Sequence, residues 1–307
     1  MKASWARTAL SHRICTGIPR KRLGKLIAEL AEPWQAQQES RLRERRGHER
    51  LRAAGAGPDH ELVFTDRVIA TLVILRFQLP HAAMAVFYGV HHATVSRAVG
   101  EIRPLLAARG FAVPGKPELR LRTLAEVFAY AAAEGVHLRI DGTEVQVRRP
   151  RAHKPGRRAL VSGKKKQNTK KTTVISDGQG RLLWAGATRP GRMHDVTAVR
   201  TEGIEEYLRR YPQVTAQVDS GYQGLTRDFP DQISAPPKKP SNHAPPEEIA
   251  AWDEERKAQS SRRICVEHAI AEPKAWRPLR RYLGRREHFD ETFLAIAGLV
   301  SDRAALR

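Results

Sequence analysis

Three acids in this chain stand where chemistry on a phosphodiester would need them. Asp141 closes an alternating apolar run, Val136, Leu138 and Ile140, that reads as a strand, and Asp219 closes a second, Val214 to Val218. Glu267 lies inside a helical pattern that starts at Pro246 and runs to about Ala271. Two carboxylates at adjacent strand ends, met by a third from a packed helix, make an open cluster of hard oxygen donors, which suits Mg²⁺ or Mn²⁺. Two such ions about 3.5–4 Å apart can activate an attacking oxygen and stabilise a leaving one, which is in-line displacement at phosphorus. Each acid also has an ordinary reading by itself. A strand-end Asp followed by Gly is a common turn, and a helical Glu is a common surface charge.

The surroundings are cationic. Residues 148–171 are dense in Arg and Lys and poor in apolar side chains, which reads as an exposed basic loop that includes Lys164, Lys165 and Lys166. Lys238 and Lys239 follow Asp219. The chain carries 54 Lys and Arg against 33 Asp and Glu, a formal +21. Such an excess favours a polyanionic partner. Nucleic acid fits better than a membrane surface, because the basic residues do not lie on an amphipathic helix with a broad apolar face. The two cysteines, Cys15 and Cys265, form no C-x-x-C pair, so neither a zinc finger nor a disulfide framework is indicated. The basic N-terminus lacks an apolar core of the secretory kind, and the most apolar run, Val68 to Leu79, is too short to span a bilayer and contains Arg76. A cytoplasmic protein is expected.

The elements that must position these residues fall into four segments. Residues 1–58 read as a basic arm, partly helical: 39–52 alternates charge signs like a solvated helix, and Gly55, Gly57 and Pro58 break it. Residues 59–110 read as an all-helical domain. Val68, Leu72 and Leu75 share one helical face, Leu79-Pro80 ends that helix, a short helix covers 81–88, and Gly89 permits a sharp turn. A further helix runs from about His92 to Ala108 with Val95, Val99 and Ile102 inward, although Pro104 works against an unbroken helix. Two short helices about a glycine turn suggest a helix-turn-helix whose second helix presents His91, His92, Thr94, Ser96, Arg97 and Arg103 outward. An ordinary helical hairpin with a polar face fits the same pattern. Residues 111–136 read as a linker, 111–118, and a helix, 121–134, capped by Gly135. Residues 137–307 read as a mixed α+β or α/β domain. Its strand ends at Asp141-Gly142, Val145 and Val147 form a partner strand, and a hairpin of 172–176 and 182–185 turns at Asp177-Gly178-Gln179-Gly180. One helix is expected from about Asp195 to Arg210, irregular proline-rich chain over 234–246, and a last helix from Phe289 to Ala305.

From Leu138 onward the chain resembles the transposases of bacterial insertion-sequence family five, within the DDE superfamily endonucleases; the eukaryotic Harbinger transposases share this architecture. The matching pieces are D-G-T-E at 141–144, S-G-K-K-K at 162–166, P-G-R-M-H-D at 190–195, D-S-G-Y at 219–222 and R-I-C-V-E at 263–267. Arg263, Glu267 and Lys274 keep the family's spacing, while Ser260 stands where the family usually has Tyr. The likeness extends to V-x-H-x-T-V-S-R, Val90 to Arg97.

The resemblance implies an RNase H-like mixed sheet with acids on its first strand, its fourth strand and the following helix. It implies Asp141, Asp219 and Glu267 as catalytic ligands of two divalent ions, Mg²⁺ or Mn²⁺. Lys274, Arg263 and Lys164–Lys166 would meet DNA phosphate, and His92, Thr94, Ser96 and Arg97 would read the duplex. His194 and Asp195 would either support the active site or cap the helix that starts there. The implied function is a nucleoid-associated bacterial DNA transposase, two copies working on paired DNA ends. It would bind terminal inverted repeats, cut element ends with water and join the freed 3′-hydroxyl to target DNA. A DNA-binding repressor without catalysis and a stand-alone nuclease are the competing readings.

Overall fold

The computed structural model describes residues 3–50, 60–151, 156–241 and 244–305, with the side chains of residues 3, 117–118 and 258–269 excepted. Helices fill the first third of the chain: α1 (Ala3–Leu10), α2 (Arg13–Thr16), α3 (Arg20–Arg46), α4 (Phe64–Phe77), α5 (His81–Tyr88) and α6 (His92–Ala108). Met1–Ala108, together with Trp276–Pro278, form one compact unit. The expected basic arm does not stand apart from the helices that follow it. Ala6, Leu10, Ile18, Leu23, Leu26 and Leu30 are buried, so the N-terminal helices contribute an apolar face to this unit. The break expected at Gly55, Gly57 and Pro58 lies outside the described residues.

Two buried carboxylates tie these helices together. Asp66 of α4 accepts from Arg7 of α1 through Nε and Nη2, both at 2.8 Å, a bidentate pair. Glu101 of α6 accepts from Arg67 Nη1 of α4 at 2.7 Å and from Trp34 Nε1 of α3 at 3.1 Å. The Arg67 guanidinium also lies over the Trp34 ring, 5.7 Å from its centroid. α6 passes through Pro104 without ending, because Ile102 and Leu106 on either side of it are buried and hold the helix in place.

The second unit comprises Arg109–Ala275 and Leu279–Arg307. Its elements begin with β1 (Phe111–Val113), β2 (Lys116–Leu121), α7 (Leu124–Glu134), β3 (Leu138–Val147), β4 (Thr169–Ser176), β5 (Leu182–Ala185) and β6 (Arg189–Pro190). They continue with α8 (Asp195–Thr201), α9 (Ile204–Arg210), β7 (Ala216–Gln217), α10 (Gln223–Asp228), β8 (Ile233–Ser234) and α11 (Pro246–Lys274). The chain then forms α12 (Arg277–Arg280), β9 (Arg281–Tyr282) and α13 (Phe289–Ala304). The main sheet runs β5-β4-β3-β7-β8, with β6 added on β4 and β9 on β3. β3, β4 and β5 form an antiparallel meander, whereas β7 is parallel to β3 and β8 parallel to β7. This is the RNase H-like order: the first strand is central, with the second and third on one side and the fourth and fifth on the other.

Helices cover both faces of the sheet, as a mixed sheet of this kind requires. Leu138 and Ile140 point into a core with Val127, Phe128, Val199 and Leu208. Thr143 and Val145, on the opposite face of β3, meet Ile270, Pro273 and Phe293 from α11 and α13.

Three local expectations are corrected. The strand does not end at Asp141. β3 is a single strand through Val147, laddered to β4 from Arg139↔Ser176 to Gln146↔Thr169, so Asp141-Gly142 sits inside a sheet and not at a turn. The segment 111–118 is no linker but part of the β1–β2 hairpin, with Phe111, Ala112 and Val113 buried. The hairpin docks on α13: Asp302 accepts from Arg109 Nη1 at 2.9 Å and Arg120 Nη2 at 2.6 Å, and Ala112 N donates to Ser301 Oγ at 3.0 Å. The helix expected over 195–210 is two helices, because Gly203 takes φ +77° between them. The hairpin at 177–180 and the helical cap at Gly135 form as the sequence predicts.

Removing the Glu101 carboxylate should leave the buried Arg67 cation without its charged partner. Glu101→Ala is expected to destabilise the first unit by about 3–5 kcal/mol, read as a lower urea midpoint with an unchanged slope.

Candidate active site

The parallel pairing of β3 with β7 decides where the first two acids lie. Leu138 pairs with Ala216 and Arg139 with Gln217. Asp141 and Asp219 each stand two residues beyond the second of these pairs, Asp141 still within β3 and Asp219 just past the end of β7, so the pairing brings both to the same edge of the sheet. Each carboxylate is oriented by a glycine N–H. Gly142 N donates to Asp141 Oδ1 at 2.7 Å, and Gly221 N donates to Asp219 Oδ1 at 2.7 Å. Asp219 thereby caps the single turn Ser220–Tyr222, and Tyr222 anchors that turn in the core.

A further acid, Asp195, packs against the glycines that follow these two: Cβ atoms at Gly142 and Gly221 would lie 3.0 and 3.2 Å from its oxygens. The alternative in which it caps α8 is corrected. His194 holds the cap position and makes no side-chain cap bond, while Asp195 is the first helical residue. Its carboxylate turns instead to Lys171 Nζ at 2.7 Å. Lys171 also reaches Glu144 Oε1 at 3.4 Å and donates to the Met193 carbonyl at 3.0 Å. Glu144 and Lys171 face each other directly across the β3–β4 ladder. Glu144 accepts from Thr169 Oγ1 at 3.1 Å as well. Gly191 packs so closely on Thr169 that a Cβ there would lie 1.8 Å from its hydroxyl. The P-G-R-M-H-D run therefore has a physical reading. Its glycine permits contact with β4, its Met193 carbonyl accepts from Lys171, and its Asp195 pairs with the same cation.

Lys171 corrects the reading of 148–171 as an exposed loop. Lys170 and Lys171 belong to β4, and Lys171 is buried because it has three oxygen partners there. Lys164, Lys165 and Lys166 remain on an exposed turn, closed by Lys166 N donating to the Ser162 carbonyl at 3.0 Å. Lys165 folds back and donates to the Glu144 carbonyl at 3.3 Å. Lys274, at the end of α11, is near the same acids. Burial lowers its affinity for a proton, Lys165 acts in the same direction, and Asp141 and Glu144 oppose both. Arg149, Arg157, Arg158 and Lys166 line one open cavity with Asn168.

Glu267 and Arg263 fall on α11, as does Ser260, in a stretch whose side chains lie outside the described residues. Among the described residues, no three His, Cys, Asp or Glu side chains converge as a metal-ligand set. The donors that are placed, Asp141 and Asp219, are hard carboxylate oxygens, which fit Mg²⁺ or Mn²⁺.

The helix-turn-helix elements form at the predicted positions, with Gly89 at φ +66° between α5 and α6. His91, His92, Ser96 and Arg97 are exposed on α6 or just before it. Thr94 and Arg103 are buried, which corrects their outward placement. Thr94 Oγ1 donates to Glu61 at 3.5 Å and accepts from Arg97 Nη2 at 3.2 Å, so it positions Arg97 from beneath. Ser96 Oγ meets His81 Nδ1 at 2.7 Å. Burial lowers the proton affinity of His81, and the charge of Arg103 adds to that effect.

Sequence reasoning missed the buried pair of Glu144 and Lys171, which supports the site from the face of β3 opposite to the Asp141 side chain. The only signal was the strand alternation that places Glu144 on the face of Leu138 and Ile140. Lys171→Met should leave the Asp195 and Glu144 carboxylates close together without their shared cation. It is expected to destabilise the second unit by about 3 kcal/mol or more, read by urea denaturation.

Comparison with known proteins places the chain in a family. Residues 60–112 match the helix-turn-helix of DDE superfamily endonuclease, and residues 140–301 match DDE superfamily endonuclease itself. A protein of Microchaete diplosiphon described as a probable transposase for insertion sequence element IS702 is 28% identical over 251 residues, covering 80% of this chain and 83% of its own. Among solved structures, a Mos1 transposase paired-end complex with left transposon end is 12% identical over 86% of this chain and 87% of its own, with a TM-score of 0.20. A pre-cleavage Mos1 transpososome is 11% identical over 97% of this chain and 98% of its own, again at 0.20. Scores this low add nothing on the fold, which rests on the strand order. The second family match spans more than half of the chain and contains both strand acids, Asp195, Lys171 and Lys274, and on that ground the protein belongs to the DDE superfamily of endonucleases.

Proposed function

We propose that this protein is a DNA transposase that binds the terminal inverted repeats of its element, cuts the element ends and joins the freed 3′-hydroxyl to target DNA. The observation that carries the reading is the pair Asp141, inside β3, and Asp219, two residues past the parallel neighbour β7, with Lys274 near Asp141 and Lys165 near Lys274. Acids side by side suit a divalent cation, and lysines next to them suit a phosphate; one phosphodiester needs both.

Asp141 and Asp219 would hold the ions, with Glu267 as the third ligand from α11. The bound ions would supply the activation of water or 3′-hydroxyl and the charge that a leaving 3′-oxygen requires. The chain's own residues do the rest. Lys274 and Lys165 bind the phosphate flanking the scissile bond, Lys164, Lys166 and Arg263 follow the backbone beyond it, and the two glycine N–H groups fix the carboxylates before DNA arrives. α6 enters the major groove, where His92, Ser96 and Arg97 face base edges and Thr94 holds Arg97 from behind. Two element ends have to be brought together for joining, so the working form is a homodimer on DNA. No helix among the described residues is long and apolar enough to cross a membrane, and the net charge of +21 directs the chain to DNA in the bacterial nucleoid.

The test is cleavage of a labelled duplex carrying the parent element's terminal repeat, with Mg²⁺ or Mn²⁺. Asp141→Asn and Asp219→Asn should each lose at least about a hundredfold in rate and still bind the duplex. Arg97→Ala should weaken repeat binding by about 1–3 kcal/mol and leave binding to unrelated duplex nearly unchanged. A wild-type protein that binds the repeat and cuts with neither ion sinks the catalytic reading in favour of a repressor. Cutting of any duplex without preference for the repeat favours a stand-alone nuclease.

A further inference from the structure

Gly142 and Gly221 flank the two strand acids, and neither takes the left-handed backbone that favours glycine. Gly142 even sits within the β3–β4 ladder, opposite Thr173, where a glycine weakens a strand. Space explains both. A Cβ at position 142 would lie 3.0 Å from Asp195 Oδ1 and 3.2 Å from the Tyr222 hydroxyl. A Cβ at position 221 would lie 3.2 Å from Asp195 Oδ2 and 2.9 Å from Asp219 Oδ1. One carboxylate thus meets both glycines, one oxygen on each, and the N–H groups of those same glycines hold Asp141 and Asp219 at 2.7 Å.

Asp195 is itself fixed. Its Oδ1 is paired at 2.7 Å with Lys171, which is 8% exposed and further held by Glu144 and the Met193 carbonyl. A carboxylate committed to a buried ammonium in this way is a poor ligand for a metal ion. It is well suited to serve as a fixed strut between strand β3 and the turn at 220–222. It also sits in the first turn of α8, where the helix favours negative charge.

We propose that Asp195, anchored by Lys171, is a positioning residue that sets the separation of the Asp141 and Asp219 carboxylates by packing between the glycines that orient them. The inference rests on the reading that Asp141 and Asp219 bind divalent ions. It assigns Asp195 no contact with the ion or with DNA. Its effect passes through the backbone of Gly142 and Gly221, and its signature is therefore metal affinity in the absence of DNA.

The experiment is Mn²⁺ binding to the full-length protein without DNA, followed by electron paramagnetic resonance of the free ion, with thermal melting of each variant alongside. Asp195→Ala should weaken Mn²⁺ binding about ten- to a hundredfold, and the isosteric Asp195→Asn should shift it in the same direction with the fold retained. Gly142→Ala should weaken it too. In the double variant Gly142→Ala with Asp195→Ala, the added methyl should cost less than about threefold further, because its main obstacle is gone; contacting residues couple in this way, and independent ones simply add. Full additivity overturns the proposed contact. Wild-type Mn²⁺ affinity in both Asp195 variants, with Asp141→Asn defective, overturns the positioning role and leaves the metal reading intact. Wild-type affinity in Asp141→Asn overturns the metal reading itself, and the role of Asp195 with it.

Discussion

Carboxylates cannot be gathered inside a fold unless something offsets their mutual repulsion, and here a single buried ammonium does so. Lys171 lies between Asp195 and Glu144 and also donates to a backbone carbonyl, so its charge and its donors are matched on three sides. This requirement reaches into the sheet. Lys171 meets Glu144 only if β4 pairs with β3 in the observed register, and a slip of one residue would turn it to the opposite face. The long β3–β4 ladder and the close seating of Gly191 on Thr169 both serve that register. β7 then needs to add only two residues of parallel pairing to bring the turn that begins at Asp219 to the same edge of the sheet as Asp141.

The first unit solves a related problem by similar means. Apart from α3 and α6 its helices have 14 residues or fewer, and helices of that length are marginal unless packing holds them. Apolar faces supply most of that packing, and two buried acids supply the specificity: Asp66 matches Arg7, and Glu101 matches Arg67 and Trp34. These pairs explain why the N-terminal segment forms part of the compact helical unit. An Arg-rich stretch looks solvated in sequence, yet Arg7 fixes α1 to α4 because its partner Asp66 is buried.

Much of the fold was legible because periodicity is a local property. The three helices about Gly89, the hairpin at 177–180, the strand that contains Asp141 and the strand that leads to Asp219 all follow from the spacing of apolar residues. What was not legible depends on partners distant in sequence. The cations of 148–171 read as one solvated run, and nothing local separates Lys165 on its turn from Lys171 in its buried pair. Thr94 and Arg103 lie on a polar-looking face of α6, but Glu61 and the packing of the helix draw them inward. The stretch 111–118 has the prolines and glycine of a linker and still forms a hairpin, since Asp302 and Ser301 on α13, far along the chain, receive it.

The glycines make the same point at finer scale. In sequence, Asp141-Gly142 has the composition of a turn, and that reading places the end of the strand there. Gly89 and Gly203 do serve their backbone: each takes a positive φ between two helices. Gly142, Gly191 and Gly221 have no positive φ, and each is approached by a polar side chain, closer than a Cβ tolerates at Gly191 and Gly221 and at the tight limit of 3.0 Å at Gly142. Glycine is therefore required in both groups for different reasons, conformation in one and space in the other. The second group surrounds the acids. A motif glycine beside a candidate metal ligand is then evidence of a side chain packed against the backbone at that point. In this protein Asp195 is such a side chain at two of the three positions, which makes an acid outside the expected triad the neighbour shared by the two glycines that orient Asp141 and Asp219.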